Sequence, residues 1–363
     1  GVFVSNGYNY KTDYKDTNSA YADTPALYVY EGLGQDVGLQ ATSGSYTKGE
    51  VIKKLEVSGG KGGLGTPTLV DVNFDGVIDY AYAGDFGGGL YRFNLQSPNP
   101  NMWAVTKIFQ TADHQPITAA PAVFRNSAEK YTVVAGTGSE IYQEDLAAKH
   151  QQALYGIFDN LTLENSSAFV NDYDLLSQTL SNEVLNTSNG ALEVRKSSNN
   201  AIDETRHKGW KINLDGSNGE RITVKPSIMG NSILLSTRIY EQQIIENTGD
   251  DPCLDQTKRA SSSAYSWLMQ FNTSNGGLIP ADNKSVYIDF NLGSDARFTS
   301  SANLQYMISG QKLHNLTSIT LIDRLVEGFS ASTSGDSGGS GEDSILNPNA
   351  KIPKNTCVGE GSK

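Results

Sequence analysis

The stretch GTPTLVDVNFDGVIDYAYAGDFGGGLYRFNL, residues 65–95, decides the fold class. A short strand around a proline, TPTLV (66–70), leads into an Asp- and Asn-rich turn; an apolar strand ending VIDYAYAGD (77–85), a glycine turn and LYRFNL (90–95) follow. In the last of these, Leu90, Arg92 and Asn94 alternate with Tyr91, Phe93 and Leu95, which is the two-residue period of a strand. WAVTKIF (103–109) completes a unit of four strands.

Working outward, the same unit returns in the same order. One copy reads APAVF (120–124), YTVVAGTG (131–138), ALYGIFDN (153–160) and GWKINL (209–214). The next reads KPSIM (225–229), SILLSTRI (232–239), YSWLMQFN (265–272) and SVYIDF (285–290). At the ends, VFVSNGY (2–8), ALYVYEG (26–32) and VIKKLEV (51–57) supply strands two to four of a first unit, and LQYMIS (304–309) with SITLIDRL (318–325) opens a fifth. Four antiparallel strands repeated around an axis bury strand faces between neighbouring blades, so the expected fold is all-β, a β-propeller of four-stranded antiparallel blades with short helical insertions. The propeller is expected over residues 1–330, with an insertion at 161–207, and residues 331–363 form a Ser/Gly-rich low-complexity tail. A ring entered and left in mid-blade implies missing blades or closure by strands shared between the chain ends. Within the insertions, SEIYQEDLAAKHQQ (139–152) has helix-forming composition, and NDYDLLSQTLSNEVLN (171–186) places Tyr173, Leu176, Leu180 and Val184 near helical spacing. Residues 187–205, rich in Asn and Ser, offer little to bury.

The 363 residues include 37% apolar side chains and 37 glycines, an ordinary globular composition that excludes disorder of the whole chain. No apolar run approaches the roughly 20 residues of a membrane span, and the opening GVFVSNGYNY has no signal peptide, as expected of a piece that starts inside a longer protein. With 28 basic against 40 acidic residues the net charge is -12, which disfavours nucleic acid and anionic lipid as partners and favours cations. Cys253 and Cys357 are too few for a four-cysteine zinc site and too far apart for a CxxC pair. They are either one disulfide in an oxidising compartment or two unrelated thiols.

The sharpest chemical signal is DVNFDGVID (71–79). Asp71, Asn73, Asp75 and Asp79 stand at positions 1, 3, 5 and 9, Val77 can add its carbonyl from position 7, and Gly76 permits the sharp turn. Calcium takes six to eight oxygens, and this spacing matches the first half of an EF-hand loop. Position 12 departs from that loop, being Tyr82 where the bidentate glutamate belongs, and the flanks are strands. Asp, Asn and Gly also build solvated turns, which is the competing reading. Other motifs are weaker. Ser337 in GDSGG (335–339) looks like a serine-protease nucleophile, but it lies in a Ser/Gly linker with no suitable histidine before it. GGKGGLGTP (59–67) lacks the GxxxxGK[ST] order of a phosphate loop, so its glycines read as turn residues. His114, His150, His207 and His314 show no paired spacing for zinc, and the acidic group Asp13, Asp16 and Asp23 reads as solvated loop charge, with a second cation site as the alternative.

The run at 65–95, with VVAGTGSEIYQEDLAAKHQQALYGIFDN (133–160), GWKINL (209–214), GERITVKPSI (219–228) and SWLMQFNTSNGG (266–277), closely resembles the C-terminal domain of the PilC/PilY family of type IV pilus tip-associated adhesins and biogenesis factors. The resemblance implies a modified seven-bladed propeller, exported through the periplasm to the cell surface, outer membrane or pilus tip. It also implies calcium at Asp71, Asn73, Asp75, the Val77 carbonyl and Asp79, with pilins or minor pilins and a host-cell receptor as partners. The function it implies is non-enzymatic: control of pilus extension and retraction, twitching motility and host-cell adhesion. An exported protein would also favour pairing of Cys253 with Cys357. Two other propeller classes are alternatives. A quinoprotein dehydrogenase would require stacking aromatics and a catalytic carboxylate, against 3 Trp and no adjacent cysteines here; an integrin-like FG-GAP propeller would repeat the DxNxDG loop, which occurs once.

Overall fold

A computed structural model describes residues 1–8, 24–32, 47–127, 129–187, 190–245 and 259–278, and beyond them the strand segments 287–290, 297–301, 304–309 and 312–315. The chain is a β-propeller. The unit that opened the sequence reading forms a four-stranded antiparallel sheet of Thr68–Val70, Tyr80–Gly84, Gly89–Asn94 and Ala104–Gln110, in that spatial order. Before it, Val2–Ser5, Ala26–Tyr30 and Val51–Glu56 make a three-stranded sheet. After it come Ala122–Arg125, Lys130–Gly136, Ala153–Asn160 and Gly209–Asn213, and then a sheet built on Ser227–Met229, Ser232–Ser236, Arg259–Asn272 and Tyr287–Phe290. Arg297–Ser301, Leu304–Ser309 and Lys312–Asn315 form a further three-stranded sheet, and residues 318–325 lie outside the described set.

The two sheets built on Tyr80–Gly84 and Lys130–Gly136 are buried on both faces, and strand alternation shares their side chains between two neighbours. In Gly89–Asn94, Tyr91 and Phe93 face a core with Leu27, Leu55 and Val57 of the preceding sheet. Leu90 faces the other way, into a core with Val133, Ala135, Tyr155 and Ile157 of the following one. The next junction is filled by Val134, Leu154, Trp210 and Ile212 against Ile233, Leu235, Trp267, Met269 and Phe271. Because both faces are covered, the strand needs no polar side, and even Arg92 is buried.

The insertions depart from the sequence reading. Residues 171–186 contain no α-helix: a 3₁₀ turn at Asp172–Asp174 leads into strands Leu175–Gln178 and Leu180–Thr187. The first runs parallel to Gly209–Asn213 and adds a fifth strand to its sheet, burying Leu175 and Gln178. The second pairs with Gly190–Ser197, which joins the following sheet at Tyr287–Phe290. Asn, Ser and Thr are weak helix formers, so free sheet edges outcompeted a marginal helical spacing. The stretch expected to bury little in fact buries Arg195 and Ser197. In 139–152 the helical composition yields a single short helix, Gln143–Ala147.

Candidate metal centre

The loop 71–79 connects Thr68–Val70 to Tyr80–Gly84, closed at its root by Asp79 N donating to Val70 O at 3.0 Å. Its side chains determine its shape. Asp71 accepts from Phe74 N (2.6 Å) and Gly76 N (2.8 Å), one carboxylate oxygen each. Asn73 Oδ1 accepts from Asp75 N (2.9 Å), Asp75 Oδ1 from Val77 N (2.8 Å), and Asp79 Oδ2 from Val72 N (2.8 Å). Side-chain oxygens thus take five of the six backbone N–H groups from Val72 to Val77. Gly76 supplies a left-handed turn at φ 86°.

The sequence-predicted ligands Asp71, Asn73, Asp75 and Val77 therefore sit together around one tip, with Asn73 Nδ2 donating to Asp75 Oδ2 at 3.0 Å. Asp79 stands lower, 7% exposed, at the hairpin root. All five are hard oxygen donors of the type calcium takes, and a carboxylate oxygen that accepts one N–H keeps a second lone pair for a cation. Among the described residues no three His, Cys, Asp or Glu side chains form a group that could hold a metal ion, so an ion here would have to draw the aspartates closer together. Tyr82, at position 12, belongs to the core: it is fully buried and its hydroxyl donates to Asp159 Oδ2 at 2.7 Å. A sixth protein ligand from that position is thereby ruled out.

Ser337, Cys253, Cys357 and the group Asp13, Asp16 and Asp23 lie outside the described residues. Of the glycines of 59–67, Gly59 lies in a turn at φ 72°, whereas Gly63, at φ 89°, belongs to the short strand Gly63–Leu64 paired with Gly7–Tyr8, so close to Gly7 O that a Cβ would approach it to 1.8 Å. Sequence reasoning missed one juxtaposition, His114 stacked on His150 with ring centroids 4.2 Å apart. Gln152 Nε2 donates to the carbonyls of both, at 2.9 and 3.2 Å. They come from different loops, and nothing in their spacing signals the contact. Also unforeseen are two buried ion pairs, Arg92–Asp159 at 2.8 Å and Arg195–Glu220 at 2.6 Å. The Arg195 guanidinium stacks 4.3 Å from the Trp267 ring centroid.

Comparison with known proteins places this arrangement. Residues 1–193 match the PilY1 beta-propeller domain. The chain belongs to the PilY1 beta-propeller family. It is 30% identical over 284 residues to the type IV pilus biogenesis factor PilY1 of Pseudomonas aeruginosa strain UCBPP-PA14, covering 63% of this chain and 23% of that protein. Against the PilY1 of P. aeruginosa strain PAO1 it is 29% identical over 321 residues, covering 75% of this chain and 26% of the relative. A PilY1 homolog of Xylella fastidiosa is 22% identical over 258 residues, 63% of this chain and 16% of that protein. The chain thus spans about a quarter or less of these relatives. The crystal structure of the P. aeruginosa PilY1 C-terminal domain superposes with a TM-score of 0.61 at 22% identity, covering 87% of this chain and 68% of that one, which establishes the shared propeller fold. Among the described residues, no helix is long and apolar enough to cross a membrane.

Proposed function

We propose that this chain is a calcium-binding propeller module of a type IV pilus assembly and tip factor, acting by binding rather than by catalysis. Its curated PilY1 relatives in P. aeruginosa and X. fastidiosa are type IV pilus biogenesis factors, which supports the pilus part. The observation that carries the calcium part is the loop in which the Asp71, Asn73 and Asp75 side chains gather with the Val77 backbone at a hairpin tip above Asp79. On this reading the ion draws the aspartates together and sets the angle at which the hairpin tip leaves the blade. Its occupancy biases pilus extension against retraction, and through that twitching motility and host-cell adhesion. The partners are pilins or minor pilins and a host-cell receptor, and the site of action is the cell surface and pilus tip.

Titration calorimetry on chelator-treated protein tests this. One calcium per chain should bind at about 10⁻⁶ to 10⁻³ M, weaker than buffer-type loops because position 12 supplies no ligand, and magnesium should not compete. Asp75→Ala, which removes an exposed ligand, should abolish the heat. No calcium heat at millimolar ion, or an unchanged isotherm in Asp75→Ala, would end the calcium reading.

A further inference from the structure

Phe74 departs from two rules of folded chains at once. Its backbone sits at φ 62°, a region that disfavours any residue with a Cβ, and its ring is 79% exposed. Val77, three residues on, is 61% exposed. Elsewhere in the same hairpin Val70, Val72 and Ile78 pack against the blade cores, and Leu69 is 39% exposed, half as much as Phe74. The exposure of Phe74 is built in, because its N–H is held by Asp71 and those of Asp75 and Gly76 by Asn73 and Asp71. Asn or Gly at this position would relieve the strain and hide nothing less. A position that is locally unfavourable, rigidly held and without packing value points to a contact outside the chain.

The charge around it limits what that contact can be. No Lys or Arg occurs between residues 62 and 91, and Lys225 reaches the hairpin at its base, Nζ donating to Thr68 Oγ1 at 2.9 Å, while at the tip the loop aspartates carry a charge of -3, or -1 with a divalent cation bound. An anionic bilayer is repelled in either state. We propose that Phe74 and Val77 form a docking prong that inserts into an apolar pocket rimmed by Lys or Arg on a pilus subunit. This rests on the pilus reading above and does not require calcium. A rigid aromatic with a charged surround is the kind of anchor that carries most of an interface's affinity.

The test is co-sedimentation of the protein with purified pilus filaments from the cells that make it, with phosphatidylcholine–phosphatidylglycerol vesicles in a parallel arm. Wild type should pellet with filaments, less so as salt rises. Phe74→Asn should bind about tenfold or more weakly with an equal or higher melting temperature, since Asn accepts the left-handed turn. Met102→Ser, at another exposed apolar residue, should bind as wild type. Equal binding of wild type and Phe74→Asn, an equal loss in Met102→Ser, or Phe74-dependent binding to vesicles alone overturns the proposal. Failure of wild type to bind filaments would be a separate outcome, removing the pilus reading and the prong together.

Discussion

Arg92 and Asp159 are the residues whose chemistry most depends on the ring. Their side chains are 2% and 0% exposed, they meet across two blades, and Tyr82 adds a hydroxyl donor to the same carboxylate. Burial pushes the Asp159 carboxyl up, opposed by the adjacent guanidinium and the Tyr82 hydrogen bond. Removing one partner would leave the other charged and unpaired in the core, so Asp159→Ala should cost about 3–5 kcal/mol in denaturant unfolding. Glu56→Ala, which breaks the Lys54–Glu56 pair at 44% and 57% exposure, should leave the midpoint unchanged in the same assay. Asp85 allows a pH test. Burial raises its carboxyl above the usual range although Lys61 N, Gly89 N and Tyr91 Oη all donate to it. The native chain then holds this proton more tightly than the unfolded chain does. This group's contribution is therefore present at low pH and is lost as pH rises through the folded value. Unfolding free energies measured from about pH 4 to about pH 7 should fall more steeply in wild type than in Asp85→Asn, whatever the variant's absolute stability.

Between elements, the repeat is a lock of isoleucine on glycine. Gly84 ends one blade's second strand, and a Cβ there would come within 2.2 Å of Ile117. Gly136 ends the next blade's second strand, and its Cβ would meet Ile222 at the same 2.2 Å. Ile117 and Ile222 both open an Ile-Thr-x-x-Pro segment that enters the following inner strand, so each connection is seated on the blade it leaves. Gly136→Ala should overpack this seat and destabilise by about 1–3 kcal/mol, read as a lowered midpoint with an unchanged m-value. The insertion acts at the same scale. It adds Leu175–Gln178 to one blade and its hairpin to the next, and Arg195 on that hairpin reaches Glu220 and Trp267. A segment that looked like a peripheral loop thus ties two blades together.

For the molecule as a whole, inter-blade cores hold the blades together, and among the described residues the tip of the 71–79 loop stands outside them: Asp71, Asn73, Phe74, Asp75 and Val77 belong to none. In calcium-free buffer, Asp75→Ala should therefore show the far-ultraviolet circular dichroism and unfolding midpoint of wild type. A large loss of either would mean that the loop supports the ring. With calcium in excess only wild type should gain, by about 2.7 kcal/mol at one hundred times the dissociation constant. The loop's own N–H bonds already neutralise part of its charge, so without the ion it keeps its shape better than three bare aspartates would.

The sequence by itself determined the four-strand unit, its order in three successive copies, and the oxygen spacing of the loop. These are local patterns: strand alternation, turn glycines and ligand intervals act within about ten residues, and their physics is written in neighbouring positions. Only the tertiary structure decided that residues 175–187 are strands, because a weak helical spacing lost to free sheet edges that other parts of the chain supply. Only the fold also brought Arg92 to Asp159 and His114 to His150, and turned Phe74 outward. A buried charge finds its partner across a blade junction, from residues 67 apart in the chain, and no local rule of periodicity or propensity reaches that far.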